Sequence, residues 1–167
     1  MGTTTIPLPV PRDIVTSPSL ADLYERYADT VFRTAIRVTG SAADAEDVLQ
    51  TVFLRLLHRD LAPEETRTPE AYLRRAATNA AIDVLRRRAT RGERAAEDHL
   101  PAPESPPLLK ERLRRAIAEL APRDAELFTL RYLEGFGNTE LAGMLGMEKA
   151  TVATRLHRIR LSLQEIL

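Results

Sequence analysis

Apolar residues recur along this chain at three- and four-residue steps, the spacing that gathers side chains on one side of an α-helix. From about Leu20 to Thr39 the series is Leu23, Tyr27, Val31, Ala35 and Val38, and Gly40 ends it. Ser41 then begins SAADAEDVLQTVFLRLLHR, where Ala45, Val48, Leu49, Val52, Phe53 and Leu56 make a wide apolar face. Ser41 and Asp44 form a capping-box-like pair there, and the early acids suit the positive end of the helix dipole. DLAPEETR reads as a loop. Thr68 followed by Pro69 is a strong helix start, and the third helix runs to about Arg91 with Leu73, Ala76, Ala77, Ala80, Val84 and Leu85 inward.

Prolines interrupt the pattern twice. Residues 1–19 carry Pro7, Pro9, Pro11 and Pro18 among serines and threonines and read as a disordered tail. Pro101, Pro103, Pro106 and Pro107 punctuate AEDHLPAPESPP, which reads as a linker over 96–106. Beyond it the spacing predicts four short helices, roughly Pro107–Leu120, Pro122–Leu133, Thr139–Leu145 and Lys149–Ile166. No strand pattern of useful length appears. The expected fold is therefore all-α: a helical domain over 20–95, a Pro-rich tether, and a second helical domain over 107–167.

Within the second domain, TELAGMLGMEKATVATRLHRIR has the makings of a helix-turn-helix. Such a motif needs a small residue where the helices cross, a glycine for the left-handed turn and a branched apolar anchor on the second helix. Ala142, Gly146 and Val152 fill those places, and Leu141, Leu145, Leu156 and Ile159 supply the shared core. Lys149, Thr151, Thr154, Arg155, His157 and Arg158 occupy the remaining faces of the second helix. Hydroxyls and cations on a protruding helix suit base edges and phosphates in a major groove. Glu148 is a poor helix cap by about 1 kcal/mol relative to Ser, Thr, Asp or Asn.

Charge sharpens this picture. The 167 residues carry 24 basic and 24 acidic side chains, which at first argues against a polyanionic partner. Yet residues 21–66 hold nine acids and five bases, whereas residues 67–94 hold eight bases and three acids. Residues 95–140 return to nine acids against six bases, and 141–167 to four bases against two acids. The neutral average hides two local positive fields, and local fields steer a polyanion. Zero cysteines exclude a disulfide framework, a thiol nucleophile and cysteine-ligated zinc. His58, His99 and His157 are scattered without metal spacing, and the seven glycines form no phosphate loop. Neither a catalytic set, a metal site nor a cofactor is expected. With no apolar run long enough to span a bilayer, the expected location is the cytoplasm.

Three blocks, in this order, resemble bacterial RNA polymerase sigma factors of the extracytoplasmic-function type. LYERYADTVFRTAIRVTGSAADAEDVLQTVF is similar to the family's polymerase-binding helices. AYLRRAATNAAIDVLRRR is similar to its promoter-melting helix, and LRYLEGFGNTELAGMLGMEKATVATRLHRIR to its second DNA reader. The resemblance implies a sigma factor that binds core RNA polymerase, recognises promoter DNA and helps to open it, often under an anti-sigma partner. Carried over by residue, Asp44, Glu46, Asp47, Gln50 and Phe53 would dock on polymerase. Tyr72, Arg74, Arg75, Asn79, Arg86, Arg87 and Arg88 would melt the promoter and hold the single strand, with Asn79 facing a flipped base. Thr51, Thr78 and Ala153 depart from the family pattern, as does the loop between Leu57 and Thr68. Two rivals predict other behaviour: a stand-alone helix-turn-helix regulator binding a palindrome without polymerase, and a degenerate sigma-like interaction protein.

Overall fold

The computed structural model describes residues 19–58, 68–92 and 106–167. The expected tail over 1–19, save Ser19, the loop over 60–67 and all of the linker but Pro106 lie outside those residues. Among the described residues seven helices follow one another: α1 (Leu20–Thr39), α2 (Ala42–Leu57), α3 (Pro69–Gly92), α4 (Pro106–Glu119), α5 (Pro122–Tyr132), α6 (Asn138–Leu145) and α7 (Lys149–Ile166). No strand occurs among the described residues.

Local chemistry accounts for the ends. Ser19 and Asp22 close a full capping box on α1: the Ser19 hydroxyl accepts from Asp22 N at 3.1 Å, and Asp22 Oδ2 accepts from Ser19 N at 3.0 Å. The same Ser19 hydrogen bonds hold the Asp22 carboxyl below its ordinary range. At the other end Gly40, with φ 69°, takes the left-handed conformation and its N–H reaches Ile36 O. Ser41 caps α2 through Asp44 N at 3.3 Å. The Asp44 carboxylate does not complete a box there; Arg88 holds it.

Helices α1, α2 and α3 pack around Val31, Ala35, Val38, Ala45, Val48, Val52, Leu73, Ala77 and Ala81. Alanines on α3 let its neighbours approach closely, which replaces the aromatic bulk the composition lacks. In the second half, Ile117, Leu127, Leu130, Leu141, Val152, Leu156, Ile159 and Leu163 are buried among α4–α7.

Both helical units are present, but α3 packs directly on α4 and α5. Ile82 and Leu85 of α3 and Ile117 of α4 are buried. The basic block on α3 also meets the acids of α5 and the turn after it, a pairing that a local reading of charge blocks does not join. This seam is polar. Among the described residues the buried polar or charged side chains are Thr34, Thr39, Thr78, Glu126, Thr129 and Glu134. Thr78 and Thr129 leave their hydroxyls without a hydrogen-bond partner, and each such buried group costs about 1–3 kcal/mol.

Candidate nucleic-acid and polymerase interfaces

Helix α2 presents Glu46, Asp47 and Gln50 to solvent on the face opposite Val48 and Val52. Asp44 is half-buried, pinned by Arg88 of α3. Phe53 departs from the expected docking surface. It is only 7% exposed, with its ring 4.8 Å from that of Tyr24 in an edge-on contact. The exposed aromatic on this side is Tyr24, at 49%, joined by the exposed Leu54 and Leu57. An acidic strip bordered by apolar side chains is thus available, but its aromatic comes from α1. Thr51 donates its hydroxyl to Asp47 O at 2.8 Å and, being neutral, adds no charge to this strip.

On α3 nearly every expected strand-binding side chain already has a partner within the chain. Arg74 donates from Nε to Glu134 Oε2 at 2.9 Å and from Nη2 to Glu134 O at 2.5 Å, with its guanidinium over the Phe136 ring. Arg75 donates to Glu126 Oε1 at 2.6 Å and to Met144 O at 2.9 Å. Asn79 Nδ2 donates to the same Glu126 oxygen at 2.9 Å. Arg86 reaches Ala118 O and Leu120 O, at 3.4 and 3.1 Å. Arg88 binds Thr39 O as well as Asp44. Arg87 is exposed and has no ion-pair partner among the described residues, and Tyr72 is half-buried. Thr78 is fully buried, which explains why no base stands at that position.

The carboxylates doing this are buried. The Glu134 side chain is 0% exposed; besides Arg74 it accepts from the Thr34 hydroxyl at 2.9 Å and lies 3.0 Å from Arg37 Nη1. Glu126 sits on α5 between Ala125 and Leu127. Removing one partner of a buried ion pair costs about 3–5 kcal/mol, whereas replacing the whole pair by apolar groups is often neutral. Such pairs fix register more than they add stability.

The helix-turn-helix forms as the sequence predicts. Gly146, at φ 62°, makes the left-handed turn, and its N–H donates to Ala142 O. Val152, on the inner face of α7, is fully buried. Glu148 makes no side-chain cap, as its chemistry suggests. Lys149, Thr151, His157 and Arg158 are exposed along α7. Two expected readers are committed elsewhere: Arg155 donates to Asp124 Oδ1 at 2.5 Å, and the Thr154 hydroxyl donates to Ala150 O at 3.0 Å.

Two family descriptions match in the order these helices take. Sigma-70 region 2 covers residues 23–91, from α1 to the end of α3. Sigma-70, region 4 covers residues 110–163, from α4 to α7. The ECF RNA polymerase sigma factor SigL of Mycobacterium tuberculosis is 33% identical over 156 residues, spanning 86% of this chain and 88% of SigL. The chain belongs to the extracytoplasmic-function sigma factors. A second relative, the ECF RNA polymerase sigma factor SigE of Mycolicibacterium smegmatis, is 33% identical over 165 residues. That match takes in 93% of this chain but 64% of SigE, so the chain spans less than two thirds of that relative. Among solved structures, it is similar to the sigma factor RpoE of Bartonella quintana, in a complex with the anti-sigma factor NepR. The TM-score is 0.49, at 20% identity over 86% of this chain and 92% of that one.

In this sigma factor, region 2 and region 4 meet through residues that sequence reasoning left out: Arg37, Glu126 and Glu134. One signal was available. Glu126 interrupts the apolar run ALFTL, and an acid among core positions demands a buried cation. The identity of that cation depends on how the two regions pack, which no local pattern encodes. Among the described residues no helix is long and apolar enough to cross a membrane.

Proposed function

We propose that this sigma factor binds core RNA polymerase through α2 and the adjoining face of α1, grips a melted promoter strand with α3, and reads an upstream duplex element with α7. The observation that carries this reading is the pairing, in one chain and in family order, of region 2 with a region 4 whose α7 presents Lys149, Thr151, His157 and Arg158. In chemical terms, Glu46, Asp47 and Gln50 meet basic side chains of the polymerase, while Tyr24, Leu54 and Leu57 bury against it. Asn79 hydrogen-bonds the edge of an unstacked base, and Arg74, Arg75, Arg86, Arg87 and Arg88 hold phosphates.

Strand opening then requires no catalytic residue and no cofactor. Binding energy for the single strand offsets the cost of unstacking, and polymerase supplies the chemistry. Polymerase and promoter DNA place the protein in the cytoplasm. The domain limits that fit this division are 20–95 for polymerase and strand, 96–106 for the connection, and 107–167 for duplex reading.

Transcription reconstituted with core polymerase tests the assignment. Asn79→Ala should lower promoter-dependent transcription about tenfold without changing affinity for upstream duplex. Arg158→Ala should weaken duplex binding and lower its salt slope by about one phosphate's worth. If both variants use promoters as the wild type does, the residue assignment is wrong.

A further inference from the structure

Arg155 stands on α7 where the buried face of the helix meets the exposed one. Val152, Leu156 and Ile159 beside it are buried, whereas Thr151 and Arg158, one turn before and after it, are exposed. Its guanidinium is held by Nε alone, which donates to Asp124 Oδ1 at 2.5 Å, in the first turn of α5. Nη1 and Nη2 make no hydrogen bond among the described residues. The two side chains are only 28% and 27% exposed, so water competes weakly for the pair. Leu120, Arg158, Ile159 and Ser162 complete the cleft in which it sits. An acid in the first turn of α5 also suits the positive end of that helix.

We propose that Asp124 is a positioning residue for duplex reading: it fixes Arg155 by Nε so that the Nη pair meets a guanine as a fork. The inference rests on the reading role proposed for α7. A guanidinium is planar, so fixing Nε fixes the plane in which Nη1 and Nη2 donate. In the major groove only guanine presents two adjacent acceptors, O6 and N7, to such a pair. Recognition helices read bases through their first turns, and Arg155 lies in the second turn of α7.

A carboxylate that served to withhold Arg155 from DNA would occupy the fork; this one takes the donor that is not at its end. A free arginine samples many rotamers and gives them up on binding, and Asp124 removes part of that loss before DNA arrives. The same negative charge lowers the attraction of this face for phosphates of any sequence. One side chain therefore raises selectivity and lowers general affinity, and its removal separates the two effects.

Selection from a duplex pool with one randomised helical turn, bound by holoenzyme reconstituted from the full chain and core polymerase, tests the assignment. The wild type should prefer guanine at one base pair by about tenfold or more. Arg155→Ala should lose that preference and keep the others within about twofold. Asp124→Ala should lose about threefold or more of the same preference, yet bind unselected duplex at least as tightly as the wild type. Asp124→Asn keeps the accepting oxygen without the charge, and should retain more of the preference than Asp124→Ala.

The role of Asp124 is overturned by an Asp124→Ala variant whose guanine preference is unchanged or sharper, or whose losses spread evenly over all base pairs. It is overturned equally if Asp124→Asn does no better than Asp124→Ala. An Arg155→Ala variant that weakens every duplex alike would make Arg155 a phosphate contact and remove the fork. Reading by α7 itself is judged separately, by whether Arg158→Ala weakens duplex binding and lowers its salt slope. A chain that passes that measurement but shows any of the contrary results keeps its reading helix and loses the positioning by Asp124.

Discussion

Phe53 and Tyr24 show how one contact divides two jobs. Phe53 lies in the core with its edge against Tyr24, and Tyr24 carries the exposed surface. Truncating a buried phenylalanine removes both transfer energy and packing, about 3–5 kcal/mol. Phe53→Ala should therefore lower stability by roughly that amount in urea denaturation. Tyr24→Ala should cost under about 1.5 kcal/mol, the worth of an aromatic pair, yet weaken polymerase association. A destabilised Tyr24→Ala beside an unaffected Phe53→Ala would reverse the assignment. The sequence alone left Phe53 open between core and anchor, because its spacing fits both. Exposure depends on where α1 crosses α2, and that crossing decides the matter. The same holds for Arg155: its helix and face were legible, but Asp124, 31 positions away, was not.

Helices and their ends were the most legible features. Glycines 40 and 146, Pro69, Ser41 and the apolar periodicities locate all seven helices within a residue or two, because caps and periodicity are local physics. The α1 cap at Ser19 was hidden by the proline-rich context before it, although Ser19 and Asp22 have capping-box spacing. Helix α7 shows the reverse case, a fault visible in both sequence and structure. Glu148 already has extended φ/ψ, −75° and 145°, and lacks only a suitable acceptor. Glu148→Ser should add about 1 kcal/mol to stability, read as a higher urea midpoint with an unchanged slope. Removal of an acid at the start of the helix proposed to read duplex should also tighten duplex binding. No gain in either quantity would mean that backbone geometry, not the missing cap, limits this helix start.

Over the whole molecule, what could not be read in advance is the arrangement of the two regions. The alternating charge blocks were visible, and they suggested two local positive fields open to a polyanion. In the fold the acids of α5 and its following turn instead neutralise α3 directly, through Glu126 and Glu134. The local positive field of α3 is thus reduced by one region covering the other. Gly40 marks the same junction from the side of α1. A Cβ there would meet the Arg114 guanidinium at 2.2–2.8 Å, and Arg114 in turn donates to Val38 O at 3.1 Å. The residues that bring the regions together are long polar side chains reaching backbone and carboxylate partners far along the chain. Periodicity does not encode such pairs.

The central claim is that an acidic face on region 2 docks this chain on core RNA polymerase. Gel filtration of the purified chain with core polymerase at low ionic strength tests it most directly, with Asp47→Arg as the comparison. The wild type should co-elute with polymerase, and Asp47→Arg should lose at least tenfold in affinity while keeping its helical circular dichroism. A wild-type chain that elutes alone, or two chains that co-elute equally, would contradict the account.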